Sequence, residues 1–158
     1  MDQKSLSRWL KLVIIGVGLC LLLVAFWIVP ALGRGANCHP AVQEHLGTWL
    51  AVVWISVIPC VAVLCLAWRI AANIGADRSF SEENARLLRI IAVVAAADGT
   101  YFFLANAVLA LLGWSELWLF AASLFLDFLA AAVAVAGAAL SHLVNKAAAL
   151  QEQSDLTI

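Results

Sequence analysis

Four stretches of this chain, at about residues 10–32, 48–71, 88–112 and 116–140, run for roughly 20 residues or more with almost no charge. That is the length a helix needs to cross a bilayer core of ~30 Å. Hydrocarbon offers a backbone no hydrogen bonds, so such stretches must satisfy their own, and the expected fold class is an all-α membrane protein. The links between them, GRGANCHPAVQEHLG, ANIGADRSFSEENARL and GWSE, are short and rich in glycine or polar residues. Short links make neighbours antiparallel. The expectation is therefore one up-and-down domain, 1–158, of four transmembrane helices followed by a tail at 141–158. Composition agrees, because the chain is 65% hydrophobic and 12% charged, with a mean hydropathy of +1.01. A soluble domain would carry about 25% charged residues.

Orientation follows from the basic residues. Lys4, Arg8, Lys11, Arg69, Arg78, Arg86, Arg89 and Lys146 fall at one end of such a bundle, and Arg34 alone falls at the other. The positive-inside tendency then predicts cytoplasmic termini and a cytoplasmic middle loop. Trp9, Trp27, Trp49, Trp68, Trp114 and Trp118 lie near span ends, where an aromatic belt belongs, while Trp54 lies deeper. The first stretch has the basic flank of a signal peptide. Its apolar run is too long for one and VPALGRGA is a poor cleavage site, so it is expected to be retained.

Several functions are disfavoured. A net charge of −1 with no basic cluster gives nucleic acid no electrostatic footprint. Cys38, His39, Glu44 and His45 are metal-capable types in the first loop, yet their spacing matches no zinc pattern. Of the four cysteines only Cys38 sits in a candidate aqueous loop, which implies no disulfide framework. HExxH, GxSxG and a phosphate-cradling glycine loop are all missing, so no enzymatic chemistry, cofactor or metal is expected.

The residues that stand out within the apolar stretches are acids. Asp98 and Asp127 both fall near mid-membrane, ~22 and ~18 Å from the GWSE hairpin along adjacent helices. They could face each other. Asn106 and Ser123 fall at a second common depth, Ser123 shares a face with Asp127, and Tyr101 and Ser56 are further candidate partners. A charged acid at that depth costs roughly 2.5–3.5 kcal/mol on insertion scales with no Lys or Arg nearby to offset it, so at least one should be neutral, proton-sharing or cation-bound. The residues leave three roles open: interhelical glue, a proton, cation or ligand site, and a contact in a homo-oligomer.

Two polar segments lie outside the membrane. RSFSEENARLLRI reads as a helix start, with Ser81 as cap, Glu82 and Glu83 at the positive end of the dipole, and Phe80 as a staple residue before the cap. Leu140, Leu143, Ala147 and Leu150 recur at heptad-like spacing, which predicts that the fourth helix continues two to three turns past the membrane. The terminal SDLTI reads as strand-like. The stretch Phe80 to Asn84 in SFSEENARLLRIIA, together with Asp155, Leu156, Thr157 and Ile158 at the C-terminus, resembles the bacterial domain-of-unknown-function 2975 family of small four-span membrane proteins. The resemblance implies a bacterial inner-membrane protein, and members are commonly encoded beside a small helix-turn-helix regulator. It suggests a membrane sensor or anchor that binds such a cytosolic regulator through Phe80, Ser81, Glu82, Glu83, Asn84, Leu150 and Asp155 to Ile158. The rival expectation is a small proton- or cation-coupled transporter, or an intramembrane ligand-binding protein, using Asp98 and Asp127.

Overall fold

A computed structural model describes residues 3–35 and 40–155, with the side chains of 151, 152, 154 and 155 excepted. Cys38, His39, Leu156, Thr157 and Ile158 lie outside the described residues. Four long helices carry the fold: Gln3–Gly33, Leu46–Gly75, Glu82–Leu111 and Leu117–Leu150, the last continuing to Asp155. They are the first to fourth spans below. A short helix, Pro40–Glu44, precedes the second.

The helices outrun the apolar stretches because helix propagation does not stop at the hydrocarbon boundary. It stops where a cap or a turn intervenes. The third span starts at Glu82 because the Ser81 side chain accepts from the Asn84 amide at 3.2 Å. The second ends in a turn in which Asp77 adopts a left-handed φ of 60°. The tight hairpin before the fourth span turns through Gly113, whose φ of 72° suits a residue without Cβ. Spans one to three, at 31, 30 and 30 residues, are each about 45 Å long, whereas the 39 residues of the fourth helix reach about 58 Å. The backbone at 154 and 155 is helical rather than strand-like.

The first span is not uniform. Val24–Ile28 forms a π-turn, and Pro30 follows it. In that wider register the Ala25 carbonyl would look to the N–H of residue 30, which proline lacks, while the Val29 N–H is taken by Val24. The stranded carbonyl is satisfied from the second span, where Trp54 Nε1 donates to it at 3.2 Å. The Phe26 ring stacks on Trp54 with centroids 5.8 Å apart. This accounts for the one tryptophan placed away from the belt.

Packing is sequential, one on two, two on three and three on four, with the last interface the most extensive. Along the fourth span the residues facing the third are Ser123, Asp127, Ala130, Ala134, Gly137 and Ser141, in alternating steps of four and three. Such a seam suits antiparallel helices crossing at a shallow angle. Small side chains let the backbones close in. A Cβ on Gly99 would sit 3.1 Å from the Ala130 Cβ, and one on Gly137 would sit 3.2 Å from the Leu88 carbonyl oxygen. In a bilayer, where lipid is as apolar as leucine, this close packing does much of what the hydrophobic effect does in water.

Polar contacts tie the ends. At the basic end Ser7 Oγ donates to the Ala71 carbonyl at 2.6 Å, joining spans one and two. Asn73 Nδ2 donates to Asn84 Oδ1 at 2.8 Å, joining two and three, and Ser141 Oγ donates to the Ala85 carbonyl at 2.7 Å, joining three and four. At the hairpin end the Trp114 carbonyl accepts from Trp49 Nε1 at 3.0 Å, and the His45 ring stacks on Trp114 at 3.8 Å. Val42, Trp49 and Leu109 form the buried core there.

The seam makes a testable contrast between glycines. Gly137→Val must displace backbone or Ala92 and is expected to destabilise the protein by about 1–3 kcal/mol. Gly16→Val, where an added Cβ meets nothing within 4 Å, should be nearly neutral. Unfolding of the two variants in mixed detergent micelles measures the difference, and equal losses would contradict the seam.

Candidate functional site

Asp98 turns toward the second span. Ser56 Oγ donates to Asp98 Oδ1 at 2.7 Å, and Cys60 Sγ lies 3.5 Å from Oδ2. Ser56 and Cys60 are one helical turn apart on one face, so the two carboxyl oxygens are held by two successive rungs of the same helix. Cys60 was absent from the sequence-derived set. Its i+4 spacing from Ser56 was the available signal, hidden because a cysteine in an apolar run reads as a small hydrophobe.

Asp127 is placed differently. It lies on the seam between spans three and four, within electrostatic reach of Asp98. Both of its carboxyl oxygens are buried, and among the described residues neither has a hydrogen-bond partner. No hydrogen bond joins the two acids. Tyr101, half-buried one turn beyond Asp98, also lies within its electrostatic reach.

Asn106 and Ser123 form the second layer. The contacts of Gly99 with Ala130 and Gly137 with Ala92 fix an antiparallel register that sets Asn106 opposite Ser123 and Phe102 opposite Asp127. Asn106 is 1% exposed and Ser123 is 5% exposed. Asn106 Nδ2 donates to the Phe102 carbonyl at 2.8 Å and Ser123 Oγ to the Phe120 carbonyl at 2.8 Å, both within their own helices. Asn106 Oδ1 is buried and without a partner. A buried polar atom left unmade costs about 1–3 kcal/mol, which makes Asn106 Oδ1 and the Asp127 carboxyl the least satisfied groups described in the membrane part.

Beside this layer lies a cavity of about 500 Å³ toward the hairpin end, lined by Val29, Leu32, Trp49, Phe102, Ser123 and Leu126 among others. Its walls come from the outer ends of the first, second and fourth spans and the short helix, with Phe102 alone from the third.

At the basic end the residues named from sequence divide. Asn84 is 1% exposed, and its amide is fully engaged: Oδ1 accepts from Asn73, while Nδ2 donates to the Arg78 and Ser79 carbonyls at 2.9 and 3.0 Å. It closes the loop between spans two and three and offers nothing outward. Ser81 is taken up as the helix cap. Glu83 pairs with Arg69 at 3.4 Å on the surface, a contact worth little in water. Glu82 is exposed, and Phe80 is 60% exposed, so the staple expected of it leaves the ring largely open. Leu143 and Leu150 are 61% and 59% exposed. Asp155 contributes only its helical backbone to the description, and Leu156, Thr157 and Ile158 fall outside it.

Four helices long and apolar enough to cross a membrane, packed in sequence with short links, define a small multi-pass membrane protein. More particularly, residues 3–158 match the proteins of unknown function DUF2975, and the chain belongs to that family. No curated protein and no solved structure matches it.

The two acids should respond differently to mutation. A double-mutant cycle of Ser56→Ala with Asp98→Ala is expected to give a coupling of about 0.6 kcal/mol, up to ~1.7. The same cycle on Ser123 and Asp127 should give none within error. Detergent unfolding reads both, and an uncoupled Ser56 and Asp98 would reject the placement of Asp98 against the second span.

Proposed function

We propose that this protein is a non-enzymatic bacterial inner-membrane anchor that binds and controls a cytosolic helix-turn-helix regulator. The observation that carries the reading is the length of the fourth helix. Ser141 is already level with the first turn of the third span, so the residues from about 145 to 155 extend ~15 Å beyond it at the basic end. Leu150 is exposed on that projection, Leu143 is exposed two turns before it on the same face, and Phe80 is exposed on the loop at the same end. The positive-inside tendency supports a cytoplasmic position for that end. An amphipathic helix standing clear of the bilayer is a common means of engaging a groove on a soluble partner. The regulator itself is suggested by the family's habit of lying beside one.

A second reading, a proton or cation path through Asp98 and Asp127, is favoured by one observation: two acids in electrostatic reach of each other inside the membrane.

Each reading has its own test. Co-purification of the neighbouring regulator with the full-length protein should fall about tenfold or more for the Leu143→Glu, Leu150→Glu double variant, since each buried leucine is worth about 1.5–3 kcal/mol. Deletion of 145–158 should abolish it, and equal recovery with and without the tail would reject the tail as the binding element. For the second reading, Asp98→Asn and Asp127→Asn should each alter pH-dependent flux in proteoliposomes. Unchanged flux in both variants with the fold intact would exclude the path.

A further inference from the structure

The cavity lined by the outer ends of the first and fourth spans and the unsatisfied acceptors of the seam meet at Ser123 and Phe102. Ser123 lines the cavity, Asp127 lies one turn further along the same face of the same helix, and Asn106 stands opposite Ser123 across the seam. Phe102 also lines the cavity, at the register position opposite Asp127. An almost wholly apolar chamber of about 500 Å³ therefore ends on Ser123 and Phe102, and behind these two side chains, not in its wall, lie three buried acceptor atoms that no described donor reaches, Asn106 Oδ1 and the two oxygens of Asp127. The volume falls within the ~300–1,000 Å³ of small-molecule sites, which combine an apolar lining with a few polar groups that fix orientation.

We propose that this crevice binds a lipophilic primary amine, its hydrocarbon body lying between the first and fourth spans and its head group donating to Asp127 and Asn106. The chemistry of the acceptors selects the head. An ammonium brings several N–H donors and the positive charge that is missing at this depth, where none of the protein's lysines or arginines falls. A fatty acid would place a second carboxylate against Asp127, and an alcohol brings a single donor to a group of three acceptors. Ser123 contributes a lone pair, because its proton is committed to the Phe120 carbonyl. Phe102 is the ring that must turn for the head to reach the sealed Asp127 oxygens, and it packs beside the chain of the bound amine. Asp98 takes no part, since Ser56 and Cys60 hold it toward the second span.

The site is a distinct claim from regulator binding and needs no cytosolic partner, so either can fail alone. The test uses full-length protein in lipid nanodiscs and dodecylamine carrying a photoreactive group at its tail, with cross-links mapped by mass spectrometry. Labelling is expected in residues 29–35 and 118–126, competed by plain dodecylamine and not by dodecanoic acid or dodecanol. Asp127→Asn and Asn106→Leu should each weaken competition by about tenfold, equivalent to ~1.4 kcal/mol. Asp98→Asn should leave it unchanged. Ala122→Phe, which adds a ring to a cavity-lining position while leaving the polar layer intact, should abolish it and decides the matter if a polar variant does not fold. Equal labelling by a photoreactive fatty acid, or labelling insensitive to both Asp127→Asn and Ala122→Phe, would mean hydrophobic partitioning only and overturn the proposal.

Discussion

Hydrocarbon supplies no hydrogen bonds, and in this protein that constraint orders almost every polar contact within the spans. Pro30 strands the Ala25 carbonyl, and the second span answers with the Trp54 indole. Asp98 would be untenable alone and is taken by Ser56 and Cys60. Near the basic boundary Ser7 and Asn73 donate to the following span and Ser141 donates back to the third, so each pair of neighbouring spans is pinned by at least one buried or half-buried hydrogen bond. These contacts set rotation and register, because a helix turned away would leave the same groups facing lipid.

Close packing then separates one half of the molecule from the other. Spans three and four meet along a seam of glycine, alanine and serine that brings their backbones together. The first span lacks such a partner surface toward the fourth. At the hairpin end Trp114 is held by Trp49 and His45, and the crevice is lined from both the first and the fourth spans. Asp127 and Asn106 are exceptions to the rule of satisfaction, and both lie where the tight seam runs into the crevice. The unsatisfied groups thus lie just behind Ser123 and Phe102, which line the crevice.

Much of this was legible beforehand. The length of the apolar stretches named the four spans, Ser81 announced the start of the third, and the leucines at 140, 143 and 150 announced the projecting helix. Counting residues from the hairpin put Asn106 level with Ser123, as the register of Gly99 on Ala130 also does, whereas it put Asp98 level with Asp127, and that register sets Phe102 opposite Asp127 with Asp98 one turn away. What counting could not supply was rotation about each axis. Asp98 could have faced Asp127 and faces Ser56 instead. Asn84 read as part of an exposed motif, and it is buried because a loop of irregular backbone needs its amide to cap the Arg78 and Ser79 carbonyls. The alternation of four and three along Ser123 to Ser141 was present in the residues, but small side chains give a weak periodic signal when every neighbour is also apolar.

The sequence by itself determined that the chain forms four antiparallel membrane helices, because apolar length and the absence of water leave the backbone no other solution. It also determined that Asn106 and Ser123 share a depth, since rise per residue is fixed. Only the tertiary structure decided which polar residues meet. Helices that are apolar all round carry little information about which face turns inward, and that choice is made by close approach at Gly99 and Gly137 and by the few hydrogen bonds the bilayer makes obligatory.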